Sequence, residues 1–429
     1  MTHASASDPS DCDHPTLTTL SRVFGRIGVM SFGGPAAQIA LMHRELVDAR
    51  GWLSERGFLN ALSFCMLLPG PEAMQLATFC GWRLRGVPGG LIAGLLFVLP
   101  GAAVVLTLAA LYVAVGDVPL VEALFLGVKA TVVIIVIEAL LRLARRALTR
   151  ADHRAVAALA FVGIFALHLP FPAIIALSAL YGALTQKGQT EAPPAQVRPR
   201  TGATVAVWLG IWGAPVALLW AAGATFLTEV ALFFSKLAVV TFGGAYAVLA
   251  YMTQEVVQER GWLTPDQMMD GLGLAETTPG PLILVTEFVG YVAGATQGGP
   301  GLALAAAGVT LWVTFAPCFL WIFAGAPYLD QIMARPRLTG ALAAITAAVV
   351  GVIANLSIWF AAHVFFGKVG ELRAGPVAVI APEPGAADPA ALALAGVAAV
   401  LLLRLKRDLL TVLAVCAALG AGLGAVGLA

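Results

Sequence analysis

Two short stretches place helix-breaking residues beside residues that can bind or carry charge. They read LLPGPEAM at 67–74 and ETTPGPLI at 276–283. A proline inside a helix removes a backbone hydrogen bond and costs about 3 kcal/mol, and in lipid such a break must be buried in protein or line a wet cavity. A helix that restarts after the break presents free N–H groups and the positive end of its dipole. The two PGP motifs therefore predict anion-binding breaks.

A glycine-rich motif precedes each break and also lies in the middle of an apolar segment. It reads FGG at 32–34 and again at 242–244. These glycines are either unwound turns that offer more N–H donors or flat surfaces for close helix packing. Together with the polar residues nearby, the motifs define a predicted substrate site: Arg26, Phe32, Gly33, Gly34, Pro69, Gly70, Pro71, Glu72, Gln75, Lys236, Phe242, Gly243, Gly244, Glu276, Thr277, Thr278, Pro279, Gly280 and Pro281.

Several polar members of this set have competing interpretations. Glu72 is either a first-turn acid that stabilises the helix dipole or a titrating group whose charge competes with the anion. The hydroxyls of Thr277 and Thr278 either cap the next half-helix or donate to an oxyanion. Arg26 and Lys236, each about two turns before an FGG motif, either bind the anion or extend to the membrane interface.

Composition places the chain among polytopic membrane proteins. Of its 429 residues, 59% are hydrophobic and 11% charged, and the mean hydropathy is +0.89, whereas a soluble domain carries about 25% charged residues. The net charge of +1 gives no indication of nucleic-acid binding. Cysteines and histidines lack ligand spacing, so no metal or other cofactor is expected. The polar start of the chain has no signal-peptide pattern and predicts a disordered cytoplasmic tail over 1–16.

The predicted fold is all-α, with about 13 transmembrane spans. A first repeat over 17–186 is followed by a cytoplasmic linker at 187–202, a connecting span at 203–222 and a second repeat over 223–429. The candidate spans are 17–44, 56–84, 88–115, 119–141, 153–168, 171–186, 203–222, 228–254, 266–294, 299–325, 338–366, 389–404 and 408–428.

The two halves share sequence. A shift of 210 positions aligns 31–54 with 241–264 and places the two PGP motifs on each other without a gap, with about 16 of the 41 positions from 31 to 71 identical. Each half thus has one helix broken by Pro-Gly-Pro. Such duplication predicts two homologous halves that move around a site at the membrane midplane.

Loop charges predict that the halves have inverted topology. The arginine-rich loop at 142–154 is cytoplasmic by the positive-inside rule, and comparable loops of the second half carry the opposite bias. An odd number of crossings must then separate the linker from the uncharged loop at 294–299, so the broken segment 266–294 is expected to make a net crossing. The N-terminus is expected inside and the C-terminus outside.

These motifs resemble the chromate ion transporter family, in particular its long members with two related halves. The resemblance implies a multi-pass transporter of the bacterial inner membrane that expels chromate, with sulfate as the look-alike anion, and with the FGG and PGP motifs as the positions to carry over. Two residues depart from the family pattern: Gln38 replaces a histidine that many members carry, and Glu287 replaces an expected glutamine. The match rests on SFGGP (31–35), RGWLS (50–54), LLPGPEAMQLATFCGWRLRG (67–86), VTFGGAYAVLAY (240–251) and LAETTPGPLILVTEFVGY (274–291).

The favoured hypothesis is a secondary transporter that exports chromate by alternating access across the lipid bilayer. The alternative is a transporter of sulfate or another anion, coupled to protons through Glu72, Glu276 or Glu287. A channel is a weaker hypothesis. An intramembrane reductase is also weaker, because the cysteines and histidines are not spaced to hold a redox centre. A homodimer is one hypothesis for the assembly.

Overall fold

The computed structural model describes residues 15–115, 118–186, 201–240, 242, 245–333, 335–375 and 377–426. Almost all of the tail predicted at 1–16 and of the linker predicted at 187–202 lies outside the described residues. Gly243 and Gly244 of the second FGG motif also lie outside them.

Helices make up nearly all of the described chain. The first half contains α1 (Leu17–Met30), α2 (Gly34–His43), a π-helical turn (Arg44–Asp48), α3 (Glu55–Cys65), α4 (Glu72–Val115), α5 (Pro119–Ala147), α6 (Ala151–Phe165) and α7 (Phe171–Thr185). The rest contains α8 (Thr201–Ala221), α9 (Thr225–Val240), α10 (Ala245–Thr253), a π-helical turn (Gln254–Glu259), α11 (Pro265–Thr277), a 3-10 turn (Leu282–Leu284), α12 (Val285–Gly325), a 3-10 turn (Ala326–Tyr328), α13 (Leu329–Met333), α14 (Pro336–Phe365), β1 (Val369–Ala374), β2 (Val377–Pro382), a 3-10 turn (Pro384–Ala386), α15 (Pro389–Ala399), a π-helical turn (Val400–Arg404) and α16 (Leu409–Ala425).

Side-chain caps fix where several of these helices begin. The side chains of Thr16, Ser54, Thr264, Asp388 and Asp408 accept hydrogen bonds from N–H groups in the first turns of α1, α3, α11, α15 and α16. Such caps satisfy donors that a helix start leaves without a partner. The caps of α3 and α11 occupy equivalent places in the two repeats, so both repeats begin this helix with the same kind of capping residue.

The order of elements in the first half recurs in the second. A π-helical turn follows α2 and again follows α10, and each leads into an RGW turn. The glycines of these turns, Gly51 and Gly261, have φ of 60° and 59°, and the arginine before each glycine stacks on the tryptophan after it at 5.6 and 4.9 Å. Helices α4 and α12 are also kinked at matching glycines, Gly86 and Gly299. The sequence repeat is therefore also a structural repeat.

Each PGP break turns the chain back on itself. The rings of Phe64 on α3 and Phe79 on α4 have centroids 6.0 Å apart, and the ring of Phe288 on α12 lies against Gly271 on α11. Both pairs lie on either side of a PGP motif, so the two arms run side by side as a hairpin. This corrects the predicted net crossing of the broken segments, because a break with two prolines around a positive-φ glycine reverses the chain.

Helices α9 and α10, which flank residues 241–244, also form a hairpin. The Lys236 ammonium on α9 is 5.3 Å from the ring of Tyr251 on α10, and the rings of Phe233 and Tyr251 are 6.2 Å apart. Because these residues lie on either side of the motif, α9 and α10 also fold against each other. The broken hairpins therefore come in pairs, an FGG hairpin followed by a PGP hairpin.

The parts of α4 and α12 that follow their kinks pack against each other and run in opposite directions. Gly90 on α4 faces Phe323 on α12, and Gly94 faces Phe319, so residue numbers rise along one helix as they fall along the other. The kinks of α4 and α12 therefore lie at opposite ends of the bundle.

Each half also packs its short C-terminal helices on the other half. Gly182 on α7 lies against Gly340 on α14, and Gly127 on α5 lies against Cys416 on α16. Helices α6 and α7 pack on α14, while α15 and α16 pack on α5. These reciprocal contacts bury the small residues that allow helices to approach closely. They join the repeats into one bundle.

Within the described ranges, five helical segments are long and apolar enough to cross a membrane: Glu72–Val115, Pro119–Ala147, Thr201–Ala221, Leu282–Tyr328 and Pro336–Phe365. Shorter apolar helices follow them in each half. The segment at the junction of the halves, α8, has no buried residue and lies at the periphery.

One element departs from the predicted all-α fold. Strands β1 and β2 pair antiparallel, from Val369 opposite Pro382 to Ala374 opposite Val377. This stretch follows the end of α14, and its valine-rich second strand favours extended pairing. The N–H of Ala378 donates to the carbonyl of Ala166 at 3.1 Å, which fixes the hairpin beside the α6–α7 turn.

Candidate functional site

The two PGP motifs lie at the interface between the halves. A Cβ on Gly101 of α4 would overlap the carbonyl oxygen of Pro279, and a Cβ on Gly70 would come within 3.1 Å of the Cys318 Sγ on α12. Each PGP turn therefore rests on the long helix of the other half. This reciprocal crossing brings both predicted anion sites to the centre of the bundle.

The second PGP turn is joined directly to the first FGG motif. The N–H of Gly280 donates to the carbonyl of Ser31 at 2.9 Å. The Nε2 of Gln38 donates to the carbonyl of Gly280 at 2.6 Å and to that of Ser31 at 3.2 Å. We call Ser31, Gln38 and Gly280 the interrepeat joint. It links residues from different halves through backbone groups and one buried amide.

Glycine is required on both sides of this joint. Gly33 and Gly34 have φ of 85° and 78°, so the first FGG motif is an unwound turn between α1 and α2. Gly280 has φ of 90° and Gly70 has φ of 117°, a region that L-residues with a Cβ rarely adopt. Of the two interpretations of the first FGG motif, the structure supports the unwound turn. Phe32 lies in this turn and is 36% exposed.

Glutamine also holds the first PGP turn, but from within the same half. The Nε2 of Gln75 donates to the carbonyl of Pro69 at 2.6 Å. The N–H of Gln75 donates to the carbonyl of Pro71 at 3.1 Å, which is the first hydrogen bond of α4. Glu72 and the two residues after it thus carry the N–H groups that a helix start leaves without an intrahelical acceptor.

The second proline of each PGP motif lies directly before a helical element, which is α4 in the first half and a 3-10 turn in the second. Pro71 lies before Glu72, the first residue of α4, and Pro281 has extended φ and ψ of −70° and 136° before the 3-10 turn that leads into α12. Proline is common at the first helical position, whereas these two prolines lie one residue before it. The difference arises because their carbonyls accept the first turn's bonds, which is the role of the residue that caps a helix.

The two PGP turns differ in exposure. Pro279, Gly280 and Pro281 are buried, whereas Pro69 and Gly70 are partly exposed. Within a fold of two related halves, one turn is therefore closed and the other accessible. The site is asymmetric even though its two motifs are identical.

A tyrosine connects the second FGG hairpin to the carboxylate before the second PGP turn. The Tyr246 hydroxyl donates to Glu276 Oε1 at 2.7 Å, and Glu276 is 5% exposed. Phe242 of the FGG motif is partly buried four residues before this tyrosine. Glu287 lies near the start of α12, after the break. It is 3% exposed, and its Oε2 has no hydrogen-bond partner among the described residues.

Two predicted hydroxyl groups bond within their own helix. Thr277 Oγ1 donates to the carbonyl of Leu274 at 2.8 Å, and Thr278 Oγ1 donates to that of Ala275 at 3.0 Å. These bonds satisfy carbonyls at the end of α11. In this conformation the hydroxyl protons serve the helix that ends before the break.

The two predicted basic residues lie away from the interrepeat joint. Lys236 Nζ is 3.8 Å from Glu255 Oε1, at the base of the α9–α10 hairpin, and its side chain is 53% exposed. Arg26 is exposed on α1. Neither contacts a PGP turn, and their role in binding stays a prediction.

A different arginine lies beside the first PGP turn. Arg146 Nη2 is 3.5 Å from Met66 Sδ, and its charge is close enough to Glu72 to interact electrostatically. Within the described ranges Arg146 has no carboxylate within 4 Å. From the sequence, Arg146 contributed only to the predicted orientation of the spans in the membrane. Its position at the C-terminal end of α5 is the only local signal, and Met66 beside it lies 80 residues away in the sequence.

An ionic cluster fixes the second PGP hairpin to the first half. Lys129 Nζ on α5 lies 2.7 Å from Asp266 Oδ1 and 3.6 Å from Asp270 Oδ1 on α11. The Tyr112 hydroxyl on α4 donates to Asp270 Oδ2 at 2.8 Å, and Asp270 is 5% exposed. The cluster therefore holds α11 against α4 and α5.

Replacing Lys129 with methionine is expected to lower the free energy of unfolding by about 3 kcal/mol, because it leaves the buried Asp270 carboxylate without its cation. Adding Asp270→Asn should restore part of the loss. The half-exposed pair of Lys236 with Glu255 provides a control, since Lys236→Met should cost less than about 1 kcal/mol. Thermal unfolding in detergent measures all three. Equal losses for the two lysines would contradict a structural role for this cluster.

In the part of the chain that the structure describes, no group of three or more histidine, cysteine, aspartate or glutamate side chains could hold a metal ion. The groups gathered at the centre are instead backbone N–H donors, two amides and separate carboxylates. This set can bind and release an ion, but it does not form a nucleophile and base pair.

The fold and this site define a polytopic membrane protein of two related halves whose broken helices meet across the interface between the repeats. The sequence model of the chromate transporter family matches residues 18–183 and 228–421, and the chain belongs to that family. A chromate transport protein of Pseudomonas aeruginosa is 34% identical over 342 residues, 78% of this chain and 79% of that protein. A chromate transport protein of Cupriavidus metallidurans is 31% identical over 345 residues, 80% of this chain and 82% of that protein. No solved structure matches the chain.

Proposed function

We propose that this protein is a secondary transporter that exports chromate by alternating access around the two PGP turns. The observation that carries the proposal is the interrepeat joint, in which Gly280 of one half is bonded to Ser31 and Gln38 of the other. Transporters built from two repeats bind their substrate where broken helices meet near the midplane. The names of the two relatives supply chromate as the substrate.

The proposed topology is inverted. The antiparallel packing of α4 and α12 supports it, because equivalent helices of inverted repeats run in opposite directions. The parts of α4 and α12 that follow their kinks each cross once, as do α5, α8 and α14. The FGG and PGP hairpins enter and leave on one side, and the short helices of each half act as a pair. An odd number of crossings then places the N-terminus in the cytoplasm and the C-terminus outside, in the inner membrane of a bacterium. The arginine-rich end of α5 faces the cytoplasm.

The difference in exposure between the two PGP turns supports alternating access. The accessible first turn lies beside Arg146, whose positive charge attracts an anion from the same end of the bundle. The free N–H groups in the first turn of α4 then donate hydrogen bonds to the anion without a charged side chain. Exchange of the two roles, so that the second turn opens and the first closes, moves the ion across.

The membrane potential favours export. Each negative elementary charge that leaves an inside-negative cell gains about 2.3 kcal/mol per 100 mV. An anion therefore moves outward without ATP hydrolysis. This direction is part of the proposal and is distinct from the family assignment.

A second candidate is a proton-coupled transporter of sulfate or another anion. Glu287 favours it, because this buried carboxyl has one oxygen without a partner among the described residues and lies close to the second break. An ionised carboxylate without a cation is costly in the membrane, so Glu287 is suited to hold a proton. Loss of pH-dependent transport in Glu287→Gln, with sulfate as the better substrate, would favour this candidate.

Export is tested in cells. A bacterium that expresses the chain should accumulate several-fold less labelled chromate than the same strain with an empty vector, and the difference should disappear when the membrane potential is collapsed. Higher accumulation in expressing cells would contradict the direction of transport. Equal accumulation, with the protein present in the inner membrane, would contradict chromate as the substrate.

A further inference from the structure

Each PGP turn is held by a buried glutamine whose amide donates to a backbone carbonyl of the turn. Gln75 donates its Nε2 to Pro69 and Gln38 donates its Nε2 to Gly280, each at 2.6 Å. The two side chains are 0% and 1% exposed. They come from different places in the fold, since Gln75 lies on the helix after its own turn and Gln38 reaches across from the other half. The same device thus appears at both turns without being a product of the sequence repeat.

Each of these glutamines leaves its carbonyl oxygen unused. The amide orientation is fixed by chemistry, because only the NH₂ group can donate to a backbone carbonyl. The Oε1 atoms of Gln38 and Gln75 are therefore the free ends, and no donor among the described residues reaches either of them. A buried acceptor without a donor costs free energy, so such a group calls for a partner.

A fully deprotonated oxyanion cannot provide that partner. Chromate, sulfate and selenate dianions carry acceptor oxygens only, and an acceptor facing Oε1 would be repelled. A singly protonated oxyanion carries one hydroxyl that donates and several oxygens that accept from backbone N–H groups. At each PGP turn the structure offers both an unused acceptor and helix-start N–H groups.

On the basis of the proposed transport function, we propose that Gln38 and Gln75 select the protonated, hydroxyl-bearing monoanion of chromate. The substrate's hydroxyl donates to Oε1 of the glutamine at the open turn, and its other oxygens accept from the N–H groups after the break. Chromate takes up a proton near neutral pH, whereas sulfate and selenate do so only in strong acid. The glutamines therefore distinguish chromate from tetrahedral anions of similar size.

Charged side chains near both turns also affect the charge moved per chromate, so their contribution must be measured separately from that of the two glutamines. Glu72 and Arg146 lie at the first turn, while Glu276 and Glu287 flank the second. A proton carried by one of these carboxylates would also change the charge moved per chromate. Each carboxylate is therefore replaced by glutamine in turn, and the charge carried per chromate is compared.

The test measures current and labelled chromate flux together in proteoliposomes of the whole chain. The expected result is one elementary charge per chromate in the wild type and in Glu72→Gln, Glu276→Gln and Glu287→Gln wherever transport remains. The rate at constant total chromate should fall as pH rises through neutrality. Selenate, a fixed dianion, should compete weakly at every pH.

Methionine variants test the two glutamines themselves. Gln38→Met and Gln75→Met should each reduce the preference for chromate over selenate by about five- to tenfold, the value of one ordinary hydrogen bond. The matched control is Gln254→Met, because Gln254 also has an unpartnered Oε1 but lies on the π-helical turn after α10. This control should leave the preference unchanged.

Two charges per chromate with a rate independent of pH would overturn the selection of the monoanion while leaving chromate transport intact. A charge ratio that changes in any of the carboxylate variants would also overturn it, because the proton would then belong to the protein. Absence of chromate flux in the wild type would instead overturn the proposed function.

Discussion

Replacing Gly280 with alanine is expected to reduce chromate uptake by proteoliposomes to the level of empty vesicles. Gly280 has φ of 90°, and a Cβ there would lie 3.0 Å from the Leu284 Cδ1 and close to α4. Adopting a left-handed conformation costs an ordinary residue about 1–2 kcal/mol, so the turn shifts to a different backbone conformation. That shift breaks the bond to Ser31 and moves the carbonyl away from Gln38. The joint through which the halves meet is then lost.

The matched control for this prediction is Gly308→Ala. Gly308 lies in α12 with no heavy atom within 4 Å of an added Cβ, so the substitution should be neutral or slightly stabilising. Both variants should insert and elute as the wild type does. Full transport by Gly280→Ala would show that the geometry of this turn is not needed for transport.

Replacing Gly101 with valine should also abolish transport, and it should lower stability by about 1–3 kcal/mol. An added Cβ would overlap the Pro279 carbonyl oxygen and approach the Leu284 Cδ1 to 2.7 Å. The main obstacle is backbone rather than a flexible side chain, so α4 and the PGP turn must move apart. Initial rates of chromate uptake and thermal unfolding in detergent measure the two effects.

The control for Gly101 is Gly25→Ala on α1, where an added Cβ meets no heavy atom within 4 Å. It should retain both transport and stability. If Gly101→Val transported at the wild-type rate, close contact between α4 and the second PGP turn would not be part of the transport cycle.

Local features of the fold were predictable from the sequence because their signals are local. Two prolines around a glycine can be recognised as a break wherever they occur, and the repeat of FGG, RGW and PGP is visible without any structure. The caps at Ser54 and Thr264 likewise lie directly before the helices that they start. In contrast, the β-hairpin after α14 lies in a mixed-charge loop, where the Gly375-Pro376 pair marks a turn without showing that the residues on either side of it pair as strands.

The path of the chain at each break could not be predicted in the same way. The segment 266–294 is long enough to cross, and one crossing or three between linker and loop both give an odd number. Loop charges therefore fit a hairpin as well as a crossing. Only contacts across the break, such as that of the Phe288 ring with Gly271, distinguish a hairpin from a crossing.

The composition of the central site was only partly predictable. The PGP motifs and Gln75 are evident from the sequence, because the glutamine lies close to its own break. Gln38 and Gly280 are 242 residues apart and meet only because the two halves pack against each other. Arg146 is similar, since its arginine-rich segment also fits a purely topological role.

The central claim is that the two halves move an anion through the turns at their interface. It is tested most directly by uptake of labelled chromate into proteoliposomes of purified wild-type protein under an imposed potential. The account predicts saturable uptake toward the positive side that reverses when the potential is reversed and is absent from empty vesicles. Uptake that does not saturate would indicate a channel, and no uptake by correctly inserted protein would contradict the account.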